Sequence, residues 1–127
     1  MLSNIPFEIP PYLLVHCKDL PRIRMAVAGA DHPIALESVR MCANAGLIDP
    51  ILIGSRDAIR KAAQEINWDL SGIQMVSADG EKETADKAVA ICKTREAAAL
   101  MKGHIHTDSI MAAVVNRDNG LRTSRRL

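Results

Sequence analysis

The stretch that decides the fold covers residues 97–107 and reads Ala97-Ala98-Ala99-Leu100-Met101-Lys102-Gly103-His104-Ile105-His106-Thr107. Its first five residues form a short uninterrupted apolar run, which is typical of a strand buried on both faces. A polar corner follows, and residues 110–115 are then apolar over a helical length. Thr107 is a suitable N-cap for that helix. The stretch therefore predicts a strand, a tight glycine corner and a helix N-terminus.

This corner has the composition of an anion site. In open α/β sheets, ligands bind outside the carboxyl ends of the strands, where the corner lies. A helix N-terminus offers backbone N–H groups and the positive end of the helix dipole, which suit a phosphate or a carboxylate. Lys102, His104 and His106 add side-chain donors. Glycine and threonine also occur in such loops as turn and cap residues alone, so both interpretations stay open for Gly103 and Thr107.

Outward from this corner, strand and helix signals alternate four times. The clearest helix has Ile59, Ala62, Ala63 and Ile66 on one face, at the spacing of an amphipathic helix. Strands are predicted at 23–28, 51–53, 73–76 and 97–101, and helices at 12–20, after Asp31 (with Pro33 in the first turn), after Ser55, after Asp79 and at 107–115. This alternation predicts an α/β fold with a parallel sheet and helices on both faces. The order of the strands cannot be obtained from the pattern.

Composition narrows the class of protein. The chain has 127 residues and 48% hydrophobic content, which suits one globular domain. Residues 1–11 hold three of the six prolines and are predicted to be an extended lead-in, so the domain covers residues 12–127. Aromatic residues make up only 2%, which argues against stacking on single-stranded nucleic acid, and the net charge of +1 gives no field for polyanions.

Three cysteines stand far apart, at positions 17, 42 and 92, with no CxxC pair. They indicate neither a zinc site nor a disulfide framework, and they are expected to pack as small apolar residues in a reducing cytoplasm. The N-terminus lacks the features of a signal peptide, and no apolar run reaches the roughly 20 residues that span a membrane. The sequence contains neither GxGxxG nor GxxxxGK[ST], so nucleotide binding by those loops is unsupported.

The chain resembles the phosphate acetyl/butyryltransferases (phosphotransacylases), and is most similar to the branch fused to an enoyl-CoA hydratase. The residues that carry the resemblance are Lys102–Thr107, Gly120–Leu127, Val27–Asp31 and Ala45–Gly54. The resemblance implies acyl transfer between coenzyme A and inorganic phosphate, with coenzyme A as a substrate and no metal or other cofactor. It also implies an isocitrate/isopropylmalate-dehydrogenase-like fold with two domains facing across a cleft. Family members are longer than this chain, which would supply the N-terminal domain alone.

The family motif assigns candidate site residues. In phosphotransacylases a matching Gly-x-x-His-Thr corner and a following arginine lie in the substrate cleft. The resemblance therefore implies phosphate or substrate binding by Lys102, Gly103, His106, Thr107, Arg122 and Arg125, with Arg126 competing for the arginine role. Lys102 stands where other branches have serine. The general base is expected from the absent C-terminal half, so no catalytic residue is assigned.

Several alternatives remain. Because His104 and His106 flank Ile105, one of the two rings is expected to point inward, with His104 favoured as structural. Asp31 and His32 follow the first strand and are expected to cap a helix, with contact to coenzyme A or substrate as the other possibility. The rival functions are a non-catalytic α/β module that binds anions or a partner, and an unrelated small-molecule enzyme on a similar sheet. A face left open by a missing domain would favour self-association.

Overall fold

The computed structural model describes residues 8–124, and the elements follow the predicted alternation. In chain order they are α1 (Pro11–Cys17), β1 (Ile23–Ala28), α2 (Pro33–Asn44), β2 (Ile48–Gly54), α3 (Arg56–Glu65), β3 (Gln74–Ser77), α4 (Gly80–Lys93), β4 (Ala99–Lys102) and α5 (Thr107–Val114). Arg125 and Arg126 lie outside the described residues, as do positions 1–7 of the predicted lead-in.

The described strands form one parallel sheet in the order β3-β2-β1-β4. Alternate residues of the two central strands face opposite ways, so Ala26 and Ile53 belong to one core and Val27 and Leu52 to the other. Helices α4 and α5 cover the first face, and α2 and α3 cover the second. The predicted α/β class, with helices on both faces of a parallel sheet, is therefore confirmed.

The N-terminal helix differs from its prediction and from the other helices. It covers Pro11–Cys17, whereas 12–20 was predicted, and Pro11 begins it as expected for a residue that has no N–H to satisfy. Within the described residues α1 buries none of its side chains. Tyr12 is 65% exposed and Val15 is 71% exposed, so an apolar face of this short helix stays in solvent.

Strand β2 is longer than the predicted 51–53. It pairs with β1 from Ile48 onward, and Pro50 lies within it opposite Met25. The missing N–H of proline is tolerated here because β3 joins the other edge of β2 only from Ile51. The proline therefore marks the end of the two-sided pairing and not the end of the strand. Strands β3 and β4 lie one or two residues later than predicted.

Two predicted helix caps were wrong by one residue. The N-cap of α2 is His32, whose Nδ1 accepts a hydrogen bond from the Ile34 N–H at 3.2 Å, and not Asp31. The N-cap of α5 is His106, and Thr107 is the first helical residue. Both changes release a side chain at the carboxyl edge of the sheet, because neither the Asp31 carboxylate nor the Thr107 hydroxyl is used as a cap.

Candidate functional site

The strand order places a topological switch point at the carboxyl ends of β1 and β4, and we call the surface around it the crevice. The chain proceeds from β1 to β2 and β3 in one direction, and then crosses to the other side of β1 to form β4. Helices α2 and α3, which connect β1 to β2 and β2 to β3, lie on one face of the sheet. Helix α4, which connects β3 to β4, lies on the opposite face. The loops after β1 and β4 therefore lead to opposite faces of the sheet, and such switch points are where open α/β sheets bind ligands.

The two loops at this point touch through their backbones. Gly103 donates its N–H to the Ala28 carbonyl oxygen at 2.9 Å, and His104 donates its N–H to the Gly29 carbonyl oxygen at 2.7 Å. Gly29 has a φ of +81°, and a Cβ on it would lie 2.6 Å from the His104 carbonyl oxygen. A Cβ on Gly103 would collide with the Gly29 carbonyl oxygen. Both glycines are therefore needed for the approach of the β1 and β4 corners.

These contacts reduce the number of amides that could hold an anion. The amides of residues 103 and 104 already donate to carbonyl oxygens of the β1 corner. The Ile105 N–H donates to the Gly103 carbonyl oxygen at 3.0 Å, and the His106 N–H donates to Glu81 Oε1 at 3.2 Å. All four N–H groups are thus used inside the fold. The amides that α5 leaves without an intrahelical acceptor are those of its first turn, beginning at Thr107 and Asp108.

Asp31, His32 and His104 form a cluster at the crevice. The Nδ1 of His104 lies 3.7 Å from Asp31 Oδ1, and the rings of His32 and His104 have centroids 4.7 Å apart. Asp31 Oδ1 is buried, and no described residue makes a hydrogen bond to it. A carboxylate oxygen that is shielded from water without a donor is costly, which marks this cluster as a place where a ligand donor would be favourable.

Glu81 forms a second cluster with His106 and Ser109. One carboxylate oxygen, Oε1, lies 2.6 Å from His106 Nδ1, and the other, Oε2, accepts from the Ser109 hydroxyl at 2.8 Å. The hydrogen bond with His106, followed by that from Ser109, lowers the pKa of the Glu81 carboxyl below its ordinary value. In the sequence Glu81 stands close to Lys82, Glu83, Asp86 and Lys87, a charged segment that is typical of a solvated helix face. The last four form surface ion pairs, but Glu81 joins the N-termini of α4 and α5.

The prediction that one histidine ring of the corner points inward, with His104 favoured, was wrong. The side chains of His104 and His106 are 64% and 81% exposed, and Ile105 between them is buried. Neither ring therefore points into the core. The chain bends after β4 so that the isoleucine anchors the loop, and a two-residue spacing then places both rings on the solvent side. The motif alone could have indicated this, because an apolar residue between two polar residues is the natural anchor.

The remaining candidate residues occupy two places. Lys102 and Thr107 are exposed at the end of β4 and the start of α5. Arg122 follows the opposite end of α5, because the Leu121 N–H donates to the Val114 carbonyl oxygen at 2.8 Å. The eight residues of α5 separate these two ends by about 12 Å. Arg125 lies outside the described residues.

Cavities line the carboxyl edge of the sheet. One of about 210 Å³ is bordered by Gly29, Asp31, Glu81 and His104, and another of about 270 Å³ by Glu81, Lys102, His104 and His106. A larger groove of about 740 Å³ runs along α4 and α5 between paired lysine and acidic side chains. The two smaller cavities lie at the carboxyl edge of the sheet and are bordered by members of both clusters, Asp31 and His104 of the first and Glu81 and His106 of the second, so we take them as the candidate site.

Two features are absent from the described residues. Between residues 8 and 124, no group of three or more His, Cys, Asp and Glu side chains is arranged to hold a metal ion. No helix in that range combines the length and the apolar character needed to cross a bilayer. The side chains that border the two smaller cavities include the carboxylates of Asp31 and Glu81, the imidazoles of His104 and His106 and the Lys102 ammonium group.

Comparison with known proteins relates this crevice to one family. Residues 14–120 match the family described as phosphate acetyl/butaryl transferase. A phosphate acetyltransferase of Rickettsia prowazekii is 43% identical over 118 residues, which cover 91% of this chain and 33% of that protein. A phosphate butyryltransferase of Clostridium acetobutylicum is 35% identical over 111 residues, covering 87% of this chain and 36% of that protein.

A solved structure shares the fold. The crystal structure of a branched-chain phosphotransacylase from Enterococcus faecalis matches with a TM-score of 0.61 at 21% identity, covering 76% of this chain and 33% of that one. The chain therefore spans about a third of the length of these relatives. The matched residues 14–120 include the ends of all four strands, and hence every described residue of the crevice.

Proposed function

Because this chain belongs to the phosphate acetyl/butyryl transferase family, we propose that it forms one wall of an acyltransferase active site. The reaction transfers an acetyl or butyryl group between coenzyme A and inorganic phosphate, so that acyl-CoA and phosphate give acyl phosphate and coenzyme A. The observation that carries this proposal is that the family match spans the whole β1–β4 crevice. Relatives of about three times the length supply further polypeptide, and we assign the opposite wall to it.

The corner after β4 is suited to binding the phosphate substrate. Phosphate must be held against its own negative charge, which calls for cations and donors directed to one place. Lys102 supplies a cation, and the Thr107 hydroxyl and the first amides of α5 supply donors. We assign phosphate binding to Lys102, Thr107 and the exposed edge of the His106 ring. Gly103 serves this site by letting the two corners meet, since its own N–H is bonded to Ala28.

An arginine is the natural partner for a phosphate, because its donors match two oxygens at once. Arg122 and Arg125 remain the candidates for this role. Arg122 starts from the far end of α5, so its contribution to a ligand at Thr107 requires the side chain to extend along the helix. Lys102 is closer to the corner, and we therefore expect it to contribute more to binding than Arg122.

The exposed apolar face of α1 indicates that another polypeptide packs against this helix. Tyr12, Leu13 and Val15 of α1 are 65%, 44% and 71% exposed, which is unfavourable for a helix in water. We propose that polypeptide of the longer enzyme covers this face, with a second copy of the chain as the other occupant. Light scattering on the 127-residue chain distinguishes the two, because self-association through α1 makes the measured mass depend on concentration.

The phosphate site is tested by titrating inorganic phosphate into the ¹⁵N-labelled chain and following amide shifts. We expect saturable shifts of the resonances from Lys102 to Asp108 and their loss in Thr107→Val. That substitution keeps the β-branched shape and removes the hydroxyl, and it leaves the cap position to His106. Thr94→Val, at the C-terminal end of α4, is the matched control and should bind phosphate like the unmodified chain. Shifts spread evenly over the surface would contradict the assignment.

A further inference from the structure

An apolar cavity lies beside the corner to which phosphate is assigned, between the start of α2 and the end of β4. Its volume is about 340 Å³, and its lining includes the side chains of Ile34, Ala35 and Met101. Ile34 is 74% exposed, the highest value among the large hydrophobic side chains of the described residues. One exposed isoleucine is ordinary on a protein surface, but this one borders a cavity together with two further apolar residues.

Local contacts fix the apolar lining of this cavity. The Ile34 N–H donates to His32 Nδ1 at 3.2 Å, which holds the first turn of α2. The Ser38 hydroxyl donates to the Ile34 carbonyl oxygen at 3.4 Å, so this polar group of the cavity is turned toward its own helix. Met101 packs against the core under α2 and α3, because alternate residues of β4 face opposite sides of the sheet. The lining is therefore a product of the fold itself.

The cavity adjoins the proposed phosphate site. Lys102, Gly103 and His104 border this cavity and also the cavity of about 270 Å³ described above. One molecule held at Lys102 can therefore extend from one cavity into the other. A ligand that suits both has an anionic group beside the ammonium group and an aliphatic group against the apolar lining.

An acyl phosphate has this composition. We propose that the cavity, which we call the acyl pocket, receives the hydrocarbon chain of the acyl phosphate, and that Ile34, Ala35 and Met101 make the site bind a butyryl chain more tightly than an acetyl group. This inference rests on the proposed acyltransferase function. The single methyl group of an acetyl chain stays close to the phosphate, whereas the two further methylene groups of a butyryl chain extend into the pocket.

The acyl pocket is tested on the 127-residue chain with two stable analogues, in which a methylene group replaces the bridging oxygen of the acyl phosphate. Acetonylphosphonate corresponds to acetyl phosphate, and 2-oxopentylphosphonate corresponds to butyryl phosphate. We expect the longer analogue to bind about fourfold to fifteenfold more tightly, where the two limits correspond to half and complete burial of two methylene groups. The ¹³C-labelled methyl groups of Ile34 and Met101 should shift with the longer analogue and much less with the shorter one.

Two variants change the pocket without disturbing the proposed phosphate site. Ile34→Ala removes one wall and should reduce the ratio of the two dissociation constants to about twofold or less, and the exposure of this side chain means that the fold should be retained. Ala35→Leu fills the pocket and should make the two analogues bind equally. Val15→Ala is the control, because Val15 is 71% exposed and lies on α1, outside the cavity. It should leave the ratio unchanged.

The outcomes separate the pocket from the function on which it rests. Equal binding of both analogues with shifts from Lys102 to Asp108, or an unchanged ratio in Ile34→Ala, overturns the acyl pocket and leaves the phosphate site intact. Binding of inorganic phosphate without binding of either analogue does the same. Methyl shifts that follow protein concentration and not the analogue identify the cavity as a contact between copies of the chain, which also overturns the pocket. If neither analogue nor inorganic phosphate binds, the phosphate site fails together with the pocket.

Discussion

The backbone contact between Gly29 and Gly103 gives the most direct test of the crevice. In Gly103→Ala the added methyl group would meet the Gly29 carbonyl oxygen, and it would lie 3.0 Å from the Ala28 oxygen and 3.1 Å from the Gly29 carbonyl carbon. These neighbours are backbone atoms of the last residue of a central strand and of the residue after it, so they cannot rotate away as a side chain could. The corner of β4 must instead move away from β1.

The cost follows from what that movement breaks. The hydrogen bonds from the amides of residues 103 and 104 to β1 are lost or lengthened, at about 0.5–1.5 kcal/mol each. Crowding in a packed region adds about 1–3 kcal/mol. We therefore expect Gly103→Ala to reduce the free energy of unfolding by about 2–6 kcal/mol, a large share of the roughly 5–15 kcal/mol of an ordinary domain.

Gly72→Ala is the matched control. No described atom lies within 4 Å of a Cβ placed at Gly72, but its φ of +79° is unfavourable for alanine. The strain of that conformation alone costs about 1–2 kcal/mol. The two variants therefore separate collision with neighbouring atoms from backbone strain, and Gly103→Ala should be the more destabilising.

Urea unfolding followed by the fluorescence of Trp68 provides the measurement. Trp68 is the single tryptophan and is partly buried against the core that includes Val27 and Leu52, so its emission reports on the packed sheet. A cost for Gly103→Ala equal to or below that of Gly72→Ala would refute the close approach of the two corners. The phosphate titration described above adds a second result, since the displaced corner should also lose its saturable shifts.

Two further outcomes are expected. The purified 127-residue chain should release little or no thiol from acetyl-CoA and phosphate, because one wall of a cleft can neither exclude water nor orient both substrates. Robust release in a thiol assay would show that residues outside this chain are not needed for the reaction. The lowered pKa of Glu81 implies that its contribution to stability is present above the ordinary value of 4.5 and is lost as pH falls through the folded-state value. The difference in urea midpoint between the unmodified chain and Glu81→Gln should therefore shrink as pH falls from about 5 to about 3. A constant difference would mean that the contacts of Glu81 do not form in solution.

Local patterns were sufficient for most of the secondary structure. The predicted 23–28 strand is β1 residue for residue, and Ser55 caps α3, whose inward face carries Ile59, Ala62 and Ala63. These features depend on neighbours within one or two turns, so the sequence contains their causes. The cap of α5 was misplaced by one residue, because histidine is an uncommon cap beside a threonine.

The sequence predicted where the site lies, but not which of its amides and side chains are available to a ligand. The Lys102–Thr107 corner does lie at the carboxyl edge of the sheet, as its position after a buried run indicated. Which of its amides are available was not predictable, because three of the four residues that accept from them, Ala28, Gly29 and Glu81, are 25 or more positions away in the chain. Glu81 in particular has the surroundings of a surface helix in the sequence, and only its approach to His106 distinguishes it from Lys82 and Glu83.

The sequence by itself determined the alternation of elements, the two buried faces of the sheet and the family to which the chain belongs, because apolar periodicity, turn residues and motifs are properties of short segments. The tertiary structure alone decided the strand order β3-β2-β1-β4, and with it the crevice between β1 and β4. It also decided that Gly29 meets Gly103 and that Glu81 meets His106. The physical reason is that a parallel sheet pairs segments far apart in the chain, so contacts between the loops at its edge depend on which strands become neighbours.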